Sequence, residues 1–218
     1  MLVKNFDNKE IPWPIIHNQT ETKIVVPLIE NYKFEDMWYL DTSQAMPIFE
    51  TQADIMIKNN SKGIVDVGCR HGPINQILHD KGYVNYSYFG FDTSKEPIDI
   101  ANTRWANFDN ISYVNASWHD EQDITVNFTV DTIIFSGVLL YEKQNHFLLF
   151  QKLINFYKPK FAIIQEPYHT QKYWDDKLQL FTITNDMQLY KTQFKRYTEI
   201  IVDCDIFSGR RLIAEVEI

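Results

Sequence analysis

The stretch "IVDVGCRHG", from Ile64 to Gly72, decides the fold of this chain. Two apolar residues lead into Asp66, and the glycines Gly68 and Gly72 follow, four positions apart. A short apolar run that ends in glycines is typical of a buried strand leading into a tight loop. Because glycine has no Cβ, we expect both glycines to turn the backbone sharply and to let a ligand approach it closely.

Further runs of the same kind follow on both sides of this stretch, and they alternate in type. Strands are predicted over Gly63–Val67, Tyr86–Asp92, Ile111–Asn115, Val130–Ser136 and Phe161–Glu166, and helices over Pro47–Asn59, Pro73–Asp80, Ser94–Asn107, Lys143–Phe156 and Tyr173–Leu180. The runs "YTEIIVDCDI" and "RRLIAEVEI", joined through Ser208 and Gly209, predict a hairpin. This order predicts an α/β three-layer sandwich: a mostly parallel seven-stranded sheet with an antiparallel C-terminal hairpin strand and helices on both faces.

The chain divides at about residue 42 in this interpretation. Residues 1–42 are broken by prolines and predicted to be an irregular arm, with a possible short strand at Lys23–Val26. Residues 43–218 form the α/β domain. Because the arm carries Trp13, Trp38 and Tyr39, which are costly to leave in water, we expect it to pack as a lid on the carboxyl edge of the sheet.

Composition limits the partners and the compartment. The chain has 21 basic and 29 acidic side chains and a net charge of -8, which disfavours a broad grip on a phosphate backbone, so nucleic acid is an unlikely partner. Two cysteines form no disulfide framework and no zinc spacing. Without a signal-peptide pattern or an apolar run near the ~18 residues of a membrane helix, we expect a cytoplasmic protein and no membrane contact.

Ligands of open α/β sheets bind beyond the carboxyl ends of the strands, where the Gly68–Gly72 loop is predicted to lie. Asp92 ends the second predicted strand at the same edge, and its carboxylate can accept both hydroxyls of a ribose. The helix beginning near Pro73 points its N-terminus at the same place. Together these features predict a nucleoside site, although the dinucleotide fingerprint G-x-G-x-x-G is absent.

The order D-x-G-x-x-x-G resembles the first motif, [DE]-x-G-x-G-x-G, of the class I S-adenosylmethionine-dependent methyltransferases. "FGFDTS" matches their second motif, "YVNAS" lies at the third, "VDTIIFSGVLLY" resembles the fourth strand and its loop, and "YKPKFAIIQEP" resembles the fifth strand and the turn before it. The resemblance covers about residues 45 to 218. It implies the methyltransferase fold, S-adenosylmethionine as cofactor and S-adenosylhomocysteine as product.

The resemblance also implies a set of cofactor contacts. By position they are Asp66, Gly68, Cys69, Arg70, Gly72, Asp92, Thr93, Asn115, Ala116 and Ser136. Two of them depart from the family pattern, because Arg70 replaces the middle glycine and Asn115 replaces a common aspartate. Arg70 can point out of the loop or reach the methionine carboxylate, and Asn115 can still hydrogen-bond an adenine edge.

For acceptor contact or a catalytic base we select Glu166 and His169, which lie at the end of the fifth of these strands and just after it. A base is needed only where the acceptor has a proton to lose. Ser136-Gly137-Val138-Leu139 stands where enzymes that methylate amines of DNA bases carry [DNS]-P-P-[YFW], so we expect a small or medium-sized acceptor, methylated on oxygen or nitrogen. No metal site is predicted, because Glu166, His146 and His169 fit no recognised metal motif.

Two alternatives stay open at this point. The first is a non-catalytic module of the same fold that binds the cofactor or a partner protein. The second is another nucleotide-binding enzyme, such as a short-chain dehydrogenase; a Tyr-x-x-x-Lys pair such as Tyr173 and Lys177 lies after the fifth predicted strand, which is the wrong context. The sequence does not determine the oligomeric state.

Overall fold

The computed structural model describes residues 2–4, 10–12, 22–24, 46–139, 146–167, 174–175, 180–181, 194–203 and 210–218. Its strands are β1 (Leu2–Lys4), β2 (Glu10–Pro12), β3 (Thr22–Ile24), β4 (Gly63–Val67), β5 (Ser87–Asp92), β6 (Ile111–Asn115), β7 (Thr132–Ser136), β8 (Phe161–Pro167), β9 (Trp174–Asp175), β10 (Leu180–Phe181), β11 (Arg196–Asp203) and β12 (Arg210–Glu217). Its helices are α1 (Met46–Lys58), α2 (Pro73–Asp80), α3 (Lys95–Arg104) and α4 (His146–Tyr157).

Among the described residues, the main sheet has eight strands in the order β3-β11-β12-β8-β7-β4-β5-β6. Strands β4 to β8 pair in parallel, whereas β12 is antiparallel to both of its neighbours, β8 and β11. The predicted mostly parallel sheet with an antiparallel hairpin strand is therefore confirmed. The eighth strand is β3, which pairs in parallel with β11 at the edge. It overlaps the short strand considered possible at Lys23–Val26.

Helices cover both faces of this sheet, as predicted for a three-layer sandwich. On one face α4 packs through Phe150 and Leu153 against Val65, Phe135 and the other apolar side chains that alternate inward on that side. On the other face α1, α2 and α3 bury Met56, Leu78 and Ile98 in a second cluster. Side chains of successive strand residues point to opposite faces, so each buried strand contributes side chains to both clusters.

Most predicted boundaries lie within a few residues of the observed ones. Proline at the first position of α2 suits a helix start because its missing N–H is not needed there. The predicted helix over Tyr173–Leu180 is wrong at the residues that the structure describes there. Trp174–Asp175 and Leu180–Phe181 pair as two short antiparallel strands instead. Large aromatic residues favour strands, and they outweigh a weak helical pattern in so short a run.

Part of the predicted arm also has regular structure. Leu2–Lys4 and Glu10–Pro12 pair as a small antiparallel ladder, which the proline-broken sequence did not predict. The three aromatic residues Trp13, Trp38 and Tyr39 lie outside the described residues. The lid and the boundary between residues 42 and 43 stay predictions.

None of the helices in the described ranges combines the length and the apolar composition that crossing a membrane requires.

Candidate functional site

The carboxyl ends of β4, β5 and β6 meet at one edge of the sheet, and the Gly68–Gly72 loop lies there. The backbone N–H groups of Gly68 and Cys69 both donate to the carbonyl oxygen of Phe91, over 2.8 and 3.1 Å. These bonds hold the loop against the end of β5. The loop is therefore fixed to the strand that carries Asp92.

Two glycines and one arginine give this loop its shape. Gly68, Arg70 and Gly72 have φ values of 69°, 54° and 77°, all in the left-handed region that favours glycine. A Cβ on Gly68 would lie 2.1 Å from Val138 Cγ1, and one on Gly72 would lie 2.1 Å from the Tyr113 hydroxyl oxygen. The sharp turn expected of the glycines is present. The space left by their missing side chains is filled by other residues of the protein itself.

A layer of polar aromatic side chains supports the loop from beneath, and the sequence reasoning missed it. Asn75 Nδ2 donates to the Tyr113 hydroxyl oxygen over 3.1 Å, and the Tyr86 hydroxyl donates to Asn75 Oδ1. Gly90 makes room for the loop, since a Cβ there would lie 2.6 Å from Cys69 Sγ. The signal was available in "YSYFGFD", where Tyr86, directly before β5, and Tyr88 and Gly90 within it recur every second residue and so share one face.

Asp92 joins the loop to the helix that follows β5. One carboxylate oxygen, Oδ2, accepts the backbone N–H of Arg70 over 3.1 Å, and the other, Oδ1, accepts that of Ser94 over 2.8 Å. A carboxylate has about four lone-pair positions, so each oxygen keeps one for a further donor. The half-buried Asp92 can therefore hold the loop and still accept two hydroxyl groups of a ligand.

Asn115 and Ala116 lie beside Asp92 at the end of β6. Asn115 Nδ2 donates to the carbonyl oxygen of Asp92 over 2.9 Å, and the backbone N–H of Ala116 donates to the same oxygen over 3.1 Å. One of the two N–H donors of the Asn115 amide is thus engaged, and its Oδ1 can act as an acceptor. An acceptor there suits the exocyclic amine of an adenine. Thr93, next to Asp92, is exposed at the same edge.

Asp66 is placed differently from the other predicted contacts. It is 2% exposed, and its Oδ2 accepts the Tyr88 hydroxyl over 2.5 Å. Its Oδ1 has no hydrogen-bond partner among the described residues. Burial, with a smaller contribution from Asp92, raises the pKa of Asp66 to about 7, against a weaker lowering by the Tyr88 hydrogen bond. In this geometry Asp66 lies below the loop, and direct contact with a ligand stays a prediction.

Cys69 and His71 are buried within the loop. Burial, followed by the charges of Asp66 and Asp92, raises the pKa of the Cys69 thiol well above its usual value. A thiol that stays protonated is a poor nucleophile, which agrees with a packing role. Burial, followed by the charges of Arg104 and Arg70, lowers the pKa of His71 to about 4, so its imidazole is neutral near pH 7.

Ser136, at the carboxyl end of β7, lies between two glutamine side chains. Its hydroxyl accepts a hydrogen bond from Gln52 Nε2 over 3.0 Å and donates to Gln165 Oε1 over 3.1 Å. Gln52 belongs to α1 and Gln165 to β8. Neither glutamine was a predicted site residue. The cofactor contact predicted for Ser136 stays a prediction.

Glu166 lies on the opposite face of β8 from Gln165. Its side chain is buried, and its Oε1 accepts the backbone N–H of Leu139 over 3.2 Å. This bond fixes the start of the segment after β7. Its predicted partner His169 lies outside the described residues, so the pairing of Glu166 and His169 stays a prediction.

A metal site can be sought only among the residues that the structure describes. There, no group of three His, Cys, Asp or Glu side chains is close enough to hold an ion. His146, considered above as a third ligand, is buried at the start of α4.

Two groups of side chains thus converge at this edge of the sheet. Gly68, Arg70, Asp92 and Asn115 make a polar edge, where the side-chain oxygens of Asp92 and Asn115 can accept hydrogen bonds from an adenosine. Ser136, Gln165 and Glu166 lie at the ends of the next two strands. The contact between Gly68 and Val138 joins the two groups.

Comparisons with known proteins agree with this geometry. Residues 58–203, more than half of the chain, match the sequence family described as "Methyltransferase domain". A comparison with curated protein sequences found no match.

Solved structures with a similar fold include three described as methyltransferases. The methyltransferase domain of the bacterial protein CtHen1 has a TM-score of 0.60 at 17% identity, over 80% of this chain and 100% of that one. The N-methyltransferase NodS from Bradyrhizobium japonicum WM9, in complex with S-adenosylhomocysteine, has 0.58 at 17%, over 84% and 92%. The magnesium protoporphyrin IX methyltransferase ChlM from Synechocystis PCC 6803, with bound S-adenosylmethionine, has 0.57 at 12%, over 78% and 78%. At these identities the likeness concerns the fold.

Proposed function

The chain belongs to the methyltransferase-domain family, and from that premise we propose that it methylates oxygen or nitrogen of a small or medium-sized acceptor. The family match confirms the predicted class I S-adenosylmethionine-dependent methyltransferase, together with its activity and its cofactor. It also decides against the dehydrogenase alternative. The contact residues and the nature of the acceptor are the proposal.

The hydrogen bonding of Asp92 carries this proposal. One carboxylate gathers the N–H groups of Arg70 and Ser94 and keeps acceptor positions for the two ribose hydroxyls. Asn115 Oδ1 would accept from the adenine amine, and Gly68, Cys69, Gly72, Thr93 and Ala116 would line the nucleoside. Arg70 would reach the methionine carboxylate, and Asp66 would support the loop from below.

When bound, S-adenosylmethionine supplies a methyl group that its positively charged sulfur has already activated. The work left to the protein is to align the acceptor atom with that methyl group and to exclude water, which can lower a barrier by ~7–11 kcal/mol. Where the acceptor is a hydroxyl or an amine, a proton must also leave it. Glu166 and His169 are the groups that we propose for acceptor contact or for taking this proton.

Two observations support a small or medium-sized acceptor. Among the proteins of similar fold, NodS is described as an N-methyltransferase and ChlM as a methyltransferase of magnesium protoporphyrin IX. In addition, the net charge of -8 disfavours a long nucleic-acid substrate. The arm of residues 1–42 would shape the acceptor pocket as a lid, and we propose a cytoplasmic location.

Calorimetric titration with S-adenosylhomocysteine tests the assignment of Asp92. Because a charge-assisted hydrogen bond is worth about 1.5–3 kcal/mol, we expect Asp92→Ala to weaken binding roughly 10- to 150-fold. Asp99→Asn is the matched control, since Asp99 is an exposed acid on α3 that pairs with Lys95. An unchanged dissociation constant in a folded Asp92→Ala protein would show that the ribose is held elsewhere. Binding without transfer to any acceptor of a broad panel would favour the non-catalytic module.

A further inference from the structure

Asp66 is a buried carboxyl group in the middle of the sheet, below the loop that is proposed to hold the cofactor. It lies in β4, where it pairs with Gly90 of β5 on one side and with Ile134 of β7 on the other. The chain goes from β4 to β5 and β6 on one side of the sheet, and β7 and β8 lie on the other side. Strand β4 is therefore the point at which the strand order reverses, and ligands of open α/β sheets bind at the carboxyl end of that point.

One oxygen of this carboxyl group has no partner in the part of the protein that the structure describes. Asp66 is 2% exposed, and its Oδ2 accepts the Tyr88 hydroxyl over 2.5 Å, whereas its Oδ1 accepts no hydrogen bond there. A buried carboxylate is costly unless donors or a positive charge compensate it. The charged form of Asp66 would therefore gain from a positive charge bound nearby.

The titratable groups around Asp66 supply no such positive charge. They are Tyr88 of β5, Tyr113 of β6, Cys69 of the loop and Asp92. Burial raises the pKa of Tyr88, Tyr113 and Cys69 well above their usual values, so all three are neutral near pH 7. Within the described ranges, the helices α1, α2 and α3 on this face place no charged side chain against Asp66.

A charge bound beside Asp92 acts on Asp66. Burial, followed at smaller size by the negative charge of Asp92, raises the pKa of Asp66, so the two positions are electrostatically coupled. Asp92 is the residue proposed to hold the ribose, and in the cofactor a single carbon separates the ribose ring from the sulfur. A positive sulfur at this place would act on Asp66 with the opposite sign and favour the carboxylate.

We propose that the buried charge of Asp66 makes the site select S-adenosylmethionine, with its positive sulfur, over S-adenosylhomocysteine, whose sulfur is neutral. This inference rests on the proposed function and adds a specificity-determining residue to it. The two molecules differ only in the methyl group and its charge, so contacts with the ribose, the adenine or the amino acid end cannot separate them by charge. Asp66 would do so through space, without touching the methyl group.

The selectivity should depend on pH, because Asp66 attracts the sulfur only when it is ionised. Burial raises the pKa of Asp66 to about 7. A bound positive sulfur stabilises the carboxylate, so Asp66 loses its proton at a lower pH with S-adenosylmethionine than with S-adenosylhomocysteine. At low pH Asp66 is neutral with either ligand and does not discriminate. The preference for S-adenosylmethionine should then rise with pH and level off above about pH 7.

Calorimetric titration of the full chain with each of the two ligands, from pH 5 to pH 8.5, measures the ratio of their dissociation constants. For two unit charges roughly 10 Å apart at an effective dielectric constant of about 20, we expect the preference for S-adenosylmethionine to grow about tenfold over this range. Asp66→Asn should lose this growth. Titration of the ligands' own amino groups is common to both proteins and cancels in the comparison. A wild-type ratio that follows the same course as that of Asp66→Asn would overturn the proposal.

The matched control is Asp99→Asn, which removes an exposed acid on α3 that pairs with Lys95. It changes the net charge by the same amount as Asp66→Asn and should keep the wild-type course. Loss of that course in both variants would show a general effect of net charge and refute a specific role of Asp66.

Proton release gives a second readout that needs no variant to fold. Titrations of the wild type near pH 6.5 in two buffers of different ionisation enthalpy count the protons released on binding. We expect S-adenosylmethionine to release about half a proton more than S-adenosylhomocysteine, because Asp66 ionises in the first complex. Equal proton release by the two ligands would overturn the proposal.

The outcomes also separate this inference from the proposed function. Failure of the wild-type chain to bind either ligand would contradict the proposed function itself. Binding of both ligands with a ratio that does not change with pH would refute only the role of Asp66.

Discussion

Asp66 and Glu215 are two buried carboxyl groups on the same row of paired residues across the sheet, but they differ in the number of hydrogen-bond donors around them. The row runs from Asp66 through Ile134 and Ile163 to Glu215, as the strand registers show. Glu215 is 1% exposed and accepts from Asn59 Nδ2, Lys58 Nζ and Arg196 Nη2 over 2.8, 3.2 and 3.3 Å. Among the residues that the structure describes, Asp66 has a single donor, the Tyr88 hydroxyl.

Glu215 is a carboxylate that supports the fold, whereas Asp66 lies beside the candidate site. The donors of Glu215 come from the end of α1 and from the strand β11, so the charge ties three elements together. Asp66 lies under the Gly68–Gly72 loop, where burial disfavours its charge, and Arg70 in the same loop adopts a left-handed conformation. Unfavourable local states of this kind cluster at functional sites and are offset by the rest of the fold.

The largest effect that we expect is that of Asp66→Asn on stability at high pH. With its pKa raised from 3.8 to about 7, Asp66 takes up a proton on folding, so its contribution to stability is present at low pH and is lost between pH 4 and 7. Asparagine does not ionise and so avoids this loss. We therefore expect the Asp66→Asn protein to be more stable than the wild type by up to about 4 kcal/mol at pH 8. At pH 4 the two proteins should be nearly equal.

Denaturant unfolding of both proteins from pH 4 to pH 8.5 measures this difference. His71 acts in the opposite direction, because a pKa lowered to about 4 adds stability as the pH rises from 4 to 6.5. The His71 contribution is common to both proteins and cancels in the difference. A difference that does not grow with pH would mean that Asp66 is not the group that titrates.

The next effect concerns Glu215 and has the opposite sign. All three partners of Glu215 are donors, so Glu215→Gln would place an amide NH₂ against them. Lys58 and Arg196 are 64% and 49% exposed, and water screens their attraction, so we expect a loss of roughly 2 kcal/mol at neutral pH. Unfolding at low and high salt checks it: the loss should shrink as salt rises. A neutral or stabilising Glu215→Gln would remove the contrast with Asp66.

The smallest effect concerns Arg70. A left-handed conformation costs a non-glycine residue about 1–2 kcal/mol, while glycine gives back part of this by its greater freedom when unfolded. We expect Arg70→Gly to be more stable than Arg70→Ala by up to about 1 kcal/mol, measured by denaturant unfolding. Both variants lack the guanidinium, so both should bind S-adenosylhomocysteine equally and more weakly than the wild type. An Arg70→Ala protein with normal affinity would exclude the guanidinium from the site.

The fold could be predicted from sequence because its local patterns agree with its global order. The apolar run Gly63–Val67 and the helix Pro73–Asp80 have the predicted bounds, since a strand bounded by glycine and a helix opened by proline are both marked at their ends. The strand Trp174–Asp175 was not predicted, because two residues are too few to show an alternating pattern. The strand Thr22–Ile24 depends on its pairing with Ile200–Val202, far along the chain.

The candidate site could be predicted only where a motif is contiguous. Asp92 and Asn115 follow from strand ends, which a sequence reveals. Gln52 lies 84 residues from Ser136, and nothing in the local pattern of α1 distinguishes it from a core residue. The support of Gly72 by Tyr113 is likewise a contact between distant segments. Such contacts depend on the packing of the sheet and not on any local preference.

The position of β12 between β8 and β11 has a consequence for how the protein is made. A ribosome delivers the strands in chain order, so β3 emerges early and β11 precedes β12. Neither can join the sheet until β12 (Arg210–Glu217) has emerged and paired with β8, because among the described strands β3 reaches the sheet only through β11 and β11 only through β12. During synthesis the edge of β8 therefore stays open, and the half-finished chain exposes a strand edge of the kind that chaperones protect.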